Sequence, residues 1–373
     1  MVYSKIKNVL YIGNYNKNYP RNYIFINGLK SLKINVFEIN TNNFNNFEII
    51  KYFLKNFKKL KKQNFDVIIY FSMKSSLSFV FAKIISYIKK IPLIHDIFIS
   101  KFLTNYYDRN LINKKKYIPN FVYWFNLFLQ DFLECQFSNY ILLGTSTQIN
   151  YFYEKFKIPI KKFGKIFVAA RNDIFFPRDE FKKSDGKFRV GFWGSYIPVQ
   201  GVKYIIRASK LLENHDQIFF YLIGTGTTYE KDRNLAKELK IQNVKFIPKN
   251  FLASNQLNKL AELISSLDIG LGLFGEGPKI VNVIPNKIFE GIAMKIPMIT
   301  ADTPGIRELF KNNENIVLCN RADPESLANA ILKLKNNKNL REKIKHNGYE
   351  LFKNCCSMEA ISISLRNFLN RIV

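Results

Sequence analysis

Short runs of β-type residues alternate with longer helical patterns along nearly the whole chain, and this alternation limits the possible folds more than any other feature. A strand that returns parallel to its predecessor needs a crossover of a dozen or more residues, and a helix supplies it. In the first half the expected strands are Asn8–Gly13, Asn35–Ile39, Asp66–Phe71, Pro92–Asp96, Tyr140–Leu143 and Lys165–Val168. Helical patterns such as Phe47–Lys62 and Leu77–Lys89 separate them. Arg171–Gly186 is polar, holds Pro177, has no apolar period and reads as a linker. The series then restarts, with strands expected at Phe188–Trp193, Ile218–Ile223, Val244–Phe246, Ile269–Leu273, Pro297–Thr300 and Ile316–Leu318. Helices are expected at Val199–Leu212, Tyr229–Leu239, Ser254–Ser265 and Asn286–Met294, and three more from Asp323, Asn339 and Ser357. The expected fold is α/β: two Rossmann-like, doubly wound domains, residues 1–176 and 186–356, facing a central cleft with ligands at the carboxyl ends of the strands.

Composition narrows the class without naming it. The 373 residues are 47 % hydrophobic and 23 % charged, a globular balance. The net charge is +28, and residues 1–185 hold 30 Lys and Arg against 12 Asp and Glu. Such a field attracts phosphates, nucleic acid or an anionic membrane alike. No nucleic-acid recognition motif accompanies it. Cys135, Cys319, Cys355 and Cys356 have neither metal spacing nor a disulfide framework, as expected in a reducing cytosol. No signal-peptide pattern opens the chain and no apolar run is long enough to span a bilayer, so the expected place is the cytoplasm or the cytoplasmic face of a membrane. Lys114-Lys115-Lys116 ahead of the aromatic Phe121–Phe137 fits either an interfacial helix or a core helix behind a solvated charge run.

Candidate site residues cluster where strands end. Gly13 and Asn14 follow the first strand, and Arg21 opens the next helix, where free N–H groups can meet a phosphate; a plain tight turn fits as well. His95 and Asp96 end a buried-type strand and can hold a hydroxyl as it loses its proton, or simply bond a local turn. Gly194, Ser195, Gln200 and Gly201 make a second strand-to-helix turn of the anion-binding kind. The richest stretch, Gly275–Glu290, leads into a helix begun near Pro285. There Lys279 and Lys287 can oppose a diphosphate beside Asn282, Val283, Ile284 and Asn286, and Glu290 can accept from ribose hydroxyls. The plainer reading is a helix with solvated lysines and an inward Glu290 paired with Lys287.

Pro285-Asn286-Lys287-Ile288-Phe289-Glu290-Gly291-Ile292-Ala293-Met294-Lys295-Ile296-Pro297 resembles the Pro-x-Lys-x-x-Glu-x-x-Ala-x-Gly-x-Pro signature of the retaining glycosyltransferases of family 4, with Lys295 in place of the usual glycine. Pro198–Gly201, with Gly272–Glu276, resembles a subgroup carrying a Pro-x-Gln-Gly turn. The resemblance implies the GT-B fold and a metal-independent hexosyltransferase that needs no cofactor. Its co-substrate would be a UDP-, GDP- or similar nucleotide sugar, and its acceptor a glycan or lipid-linked molecule in surface-polysaccharide assembly. It further implies an acceptor-binding first domain with His95 or Asp96 near the reacting centre, a donor-binding second domain, and a final helix, residues 357–373, packed back on the first. Three further positions depart from the family. Asn282 stands where an acid touches the transferred sugar, and Ser195 and Gln200 stand where an Arg and a Lys clamp the diphosphate. Two other expectations stand beside it: a nucleotide-sugar epimerase of the same fold, which the loss of an acid at Asn282 disfavours, and a sugar-nucleotide-binding protein with impaired catalysis, which Ser195, Gln200 and Asn282 keep open.

Overall fold

The computed structural model describes residues 5–72, 77–98, 100–104, 120–248 and 256–373. They form two compact units: one from the described residues between Lys5 and Phe167 together with Met358–Val373, the other from Val168–Ser357. Arg171–Gly186, read from sequence as a linker, lies inside the second unit.

The first unit runs β1 (Asn8–Asn14), α1 (Pro20–Ser31), β2 (Asn35–Asn40), α2 (Asn46–Lys62), β3 (Val67–Ser72), α3 (Leu77–Lys89), β4 (Leu93–Asp96), the one-turn α4 (Lys101–Leu103), α5 (Asn120–Phe137), β5 (Tyr140–Leu143), α6 (Ser146–Phe156) and β6 (Phe163–Lys165). All strand pairs are parallel, in the order β2-β1-β3-β4-β5-β6. β6 begins two residues before the expected Lys165. Local chemistry sets the helix starts. Pro20 occupies the first turn of α1. Asn45 and Glu48 form a reciprocal capping box on α2, each side chain accepting from the other's backbone N–H.

The second unit continues with β7 (Phe188–Trp193), α7 (Val202–Leu211), β8 (Ile218–Ile223), α8 (Tyr229–Glu238), β9 (Val244–Ile247), α9 (Leu257–Ser265), β10 (Ile269–Leu271), α10 (Asn286–Ala293), β11 (Met298–Ala301), α11 (Pro304–Arg307), β12 (Val317–Cys319), α12 (Pro324–Asn336) and α13 (Lys338–Leu351). Its parallel sheet has the order β12-β11-β10-β7-β8-β9. The first two residues of the helix expected at Ser254–Ser265 lie outside the described residues, as does Lys114-Lys115-Lys116. β7 and β11 are buried along their whole length, as strands covered on both faces must be. In each sheet the strand order reverses at the first strand, between β1 and β3 and between β7 and β10, where ligand crevices form in such sheets. No described helix is long and apolar enough to cross a membrane.

The chain returns to the first unit as α14 (Met358–Ile372), which packs on α1. Gly28 allows this approach, because a Cβ there would lie 1.8 Å from Ser362 Oγ. Asn370 Oδ1 also accepts from the backbone of Lys5 at 3.1 Å, closing the two chain ends on each other. Gly28→Val is expected to overpack this contact and cost about 1–3 kcal/mol. A lowered thermal midpoint, with faster proteolytic release of the last helix, is the outcome to measure.

Candidate functional site

The densest chemistry lies at the carboxyl end of β7. Trp193 closes the strand, and Gly194 follows with φ +139°, a conformation that favours glycine. A short 3₁₀ turn, Pro198–Gln200, leads to Gly201 at φ +69°, which starts α7 without a side-chain cap. A Cβ on Gly201 would lie 2.4 Å from the Gly275 nitrogen. The turn after β10 therefore packs directly against the turn after β7, with Phe274 N–H donating to Gln200 O and Gly275 N–H to Val199 O, both at 3.2 Å.

Lys287 ties these turns to α10. It is the second residue of that helix, is 5 % exposed, and donates from Nζ to Gln200 Oε1 at 2.5 Å. The same Nζ lies 3.6 Å from the centre of the Phe192 ring. α10 has no side-chain cap, since Pro285 precedes it. The amino ends of α7 and α10 thus meet through Gln200 and Lys287, presenting uncapped N–H groups and positive dipole ends. Burial holds the Lys287 amine well below its ordinary range, and nearby Glu290 offsets part of that. Glu290, half-buried one turn further on, accepts from Trp193 Nε1 at 2.7 Å. Burial raises its carboxyl, while the indole bond and Lys287 lower it. Glu290 thus accepts from an indole, and the hydrogen-bond partner of Lys287 is Gln200 rather than Glu290.

Gly194, Gln200, Lys287 and Glu290 are accordingly gathered in one place. Ser195 follows Gly194 in a half-buried position, and Asn286 opens α10. Lys279 heads the 3₁₀ turn Ile280–Asn282, where Asn282 Nδ2 donates to Pro278 O at 3.2 Å. Val283 and the buried Ile284 carry that turn into Pro285. Gly305 of α11 backs it, since a Cβ there would lie 2.9 Å from the Asn282 carbonyl carbon. Lys295, at the position of the family's glycine, adopts φ +56°. The left-handed turn is therefore kept, and a lysine bears its cost.

The first unit uses its strand ends differently. Gly13 serves packing: a Cβ would lie 1.8 Å from the Phe71 carbonyl oxygen. Asn14 Nδ2 is spent on the Thr41 carbonyl at 3.2 Å. Arg21, expected to meet a phosphate, is instead turned inward and 1 % exposed. Its Nε lies 2.9 Å from both Asp96 oxygens, its Nη2 2.7 Å from Oδ1, and its Nη1 donates to Ile166 O at 2.9 Å. A buried guanidinium must find a carboxylate, and Asp96 is the one within reach. Asp96, expected near a reacting centre, thereby has both oxygens engaged. His95 is also buried, between the rings of Tyr70 and Phe79, with Nε2 3.4 Å from Glu134 Oε2 and Nδ1 without a hydrogen-bond partner. Burial and the nearby Lys101 push its imidazole well below the usual range, so it is neutral near pH 7.

Sequence reasoning did not select Trp193, Lys101, Asp131 or Glu134 as site residues. Lys101 Nζ meets Glu134 Oε1 at 2.6 Å. Asp131 accepts from Ser100 Oγ at 2.6 Å, and burial raises its carboxyl to about 6. Asp131 and Glu134 are the only charged residues in Phe121–Phe137, a signal that was there to find. Among the described residues no group of three or more His, Cys, Asp or Glu is arranged to hold a metal ion. Asp96→Ala leaves Arg21 charged and unpaired in the interior, and is expected to cost about 3–5 kcal/mol in denaturant unfolding. The double variant Arg21→Met with Asp96→Leu is expected to recover much of that loss.

Residues 173–351 match the family model of Glycosyl transferases group 1. An uncharacterized glycosyltransferase of Methanocaldococcus jannaschii is 26 % identical over 178 residues, 47 % of this chain and 46 % of that one. The chain spans about half the length of the curated relatives it matches. Among solved structures, Anabaena HepE in complex with UDP and glucose has a TM-score of 0.67 at 14 % identity, covering 98 % of this chain and 100 % of that one. Sucrose-phosphate synthase from Thermosynechococcus elongatus has a TM-score of 0.69 at 13 % identity, covering 98 % of each. The chain therefore has the two-domain α/β architecture known as GT-B, and its second unit carries the sequence pattern of the group 1 glycosyl transferases.

Proposed function

We propose that this chain is a retaining glycosyltransferase of family 4, in the subgroup with a Pro-x-Gln-Gly turn. It moves a hexose from a nucleotide sugar to a glycan or lipid-linked acceptor in surface-polysaccharide or glycoconjugate assembly. It works at the cytoplasmic face of a membrane and needs neither metal nor cofactor. The observation that carries this reading is the buried Lys287 set between two uncapped helix ends, with Glu290 one turn away. HepE binds UDP in a structure of the same fold, which makes UDP the first nucleotide to test.

In this reading the second unit binds the donor and the first binds the acceptor. The diphosphate settles against Gly194 and the amino ends of α7 and α10, and Lys279 adds a cation from the neighbouring turn. The acceptor hydroxyl oxygen bonds to the anomeric carbon as the bond to the diphosphate oxygen breaks, and the hydroxyl proton passes to the leaving diphosphate. Lys287 and the helix ends offset the charge left on the diphosphate. Glu290 takes hydrogen bonds from the ribose hydroxyls. By the resemblance His95 and Asp96 lie near the reacting centre, and the buried Arg21–Asp96 pair holds the strand end that carries them. With Asn282 in place of an acid, the contact to the transferred sugar is made by an uncharged amide.

Two measurements test the reading. Thermal shifts with UDP, GDP, ADP and CMP sugars are expected to show stabilisation by one nucleotide class, and no shift with any of them rejects it. A bound sugar nucleotide that is epimerised without acceptor would point to an epimerase. The second test uses pH. In the free protein burial depresses the Lys287 amine, and a bound diphosphate favours its charged form. The bound value is therefore the higher, so affinity is greatest at low pH and falls as pH rises between the free and bound values. Lys287→Met is expected to weaken UDP binding about 10- to 100-fold near neutral pH and to flatten that dependence.

A further inference from the structure

Most of the large exposed apolar side chains among the described residues lie on three helices of the first unit, α2, α3 and α5. Right-handed crossovers that run the same way across a sheet put their helices on one face. Those of α2, α3 and α5 run from β2 past β1 to β3, then to β4 and β5. α1 crosses in the opposite direction and lies on the other face, covered by α14. The outward side of the α2–α3–α5 layer stays open. Phe47 and Leu54 of α2 are 73 % and 72 % exposed, Tyr87 of α3 is 82 % exposed and Phe121 of α5 is 75 % exposed.

The open face is also basic. α2 carries six lysines, all exposed, against the single acid Glu48, and α3 carries lysines and no acid. α2 and α3 are held side by side by the stacked rings of Phe53 and Phe81, 4.2 Å apart, and by Lys89 Nζ donating to Lys61 O at 2.9 Å. On α2 the exposed Phe47, Ile50, Leu54 and Phe57 recur at helical spacing along one stripe, and Lys51, Lys55 and Lys58 flank it.

We propose that this face docks on an anionic phospholipid bilayer, with the apolar stripe in the interface and the lysines among lipid phosphates. Lysines alone suit any polyanion. The aliphatic side chains of Ile50 and Leu54 gain little from a nucleic acid and much from hydrocarbon. The proposed contact is a peripheral one, made by side chains of the helix surface, and no described helix is long and apolar enough to cross a membrane. The inference draws only its purpose from the proposed transfer to a membrane-side acceptor, and its test reads lipid binding without turnover, so the two can fail separately.

The experiment is co-sedimentation of the full chain with phosphatidylcholine vesicles, with and without about one-third phosphatidylglycerol. The parent is expected to bind the anionic vesicles at least tenfold better than the neutral ones. The triple variants F47S/L54S/Y87S and K51Q/K55Q/K58Q each change exposed side chains only, and circular dichroism verifies their fold. Each is expected to lose at least tenfold of the anionic-vesicle binding and to keep UDP-induced stabilisation equal to that of the parent. Equal binding of the parent to both vesicles, or to neither, overturns the proposal. So does parental binding by the serine variant. A dimer that dissociates in the serine variant, with no vesicle binding, would make this face an interface between two copies instead. Displacement from vesicles by single-stranded DNA at salt-matched concentration would assign it to nucleic acid.

Discussion

A parallel strand covered on both faces favours apolar side chains along its length, so most polar chemistry is driven to the strand ends. β7 shows the constraint at its strongest, with every residue from Phe188 to Trp193 buried. Past the apolar run Val190–Trp193 the chain turns polar at Gly194, and there the helix ends, Gln200 and Lys287 assemble. The reversal of strand order between β7 and β10 opens the space in which they meet. Gly201 and Gly275 set how closely the two turns approach, because neither backbone leaves room for a Cβ.

The two units answer the same constraint in opposite ways. The first closes its strand ends by pairing charges inside: Arg21 with Asp96, and Lys101 with Glu134. Such pairs gain little over apolar packing, yet removing one partner is expensive. They hold a strand end rigidly and spend their polar atoms on each other. The second unit leaves the amino ends of α7 and α10 without side-chain caps and holds its lysine with a neutral amide. Gln200 satisfies one donor of the ammonium without supplying a countercharge, so the cation is positioned and its charge is left available to an anion.

Much of this was legible in sequence. Each expected strand appears, most within a residue or two of the expected bounds, because β-type runs bounded by helical patterns admit few alternatives. Glu290 and Lys287 could be placed on one helix and near one strand end from their spacing after Pro285. Arg21 was misread because the amino end of a helix looks the same in sequence whether it faces a ligand or a buried carboxylate 75 residues away. Trp193 was read only as the end of a strand, since Glu290, which accepts from its indole, lies 97 residues on.

By itself, then, the sequence determined the alternation of elements, the two-unit organisation, the basic surface and the glycine, proline and lysine turns that can receive a phosphate. These depend on local propensity and periodicity, which a linear reading sees. Only the tertiary structure decided which charges are spent on one another. It turned Arg21 and Asp96 into a closed pair, gave Lys287 an amide in place of Glu290, and brought an indole to Glu290. The physical reason is that the worth of a charge depends on its burial and its nearest partner, and both are set by strands and helices far apart in the chain.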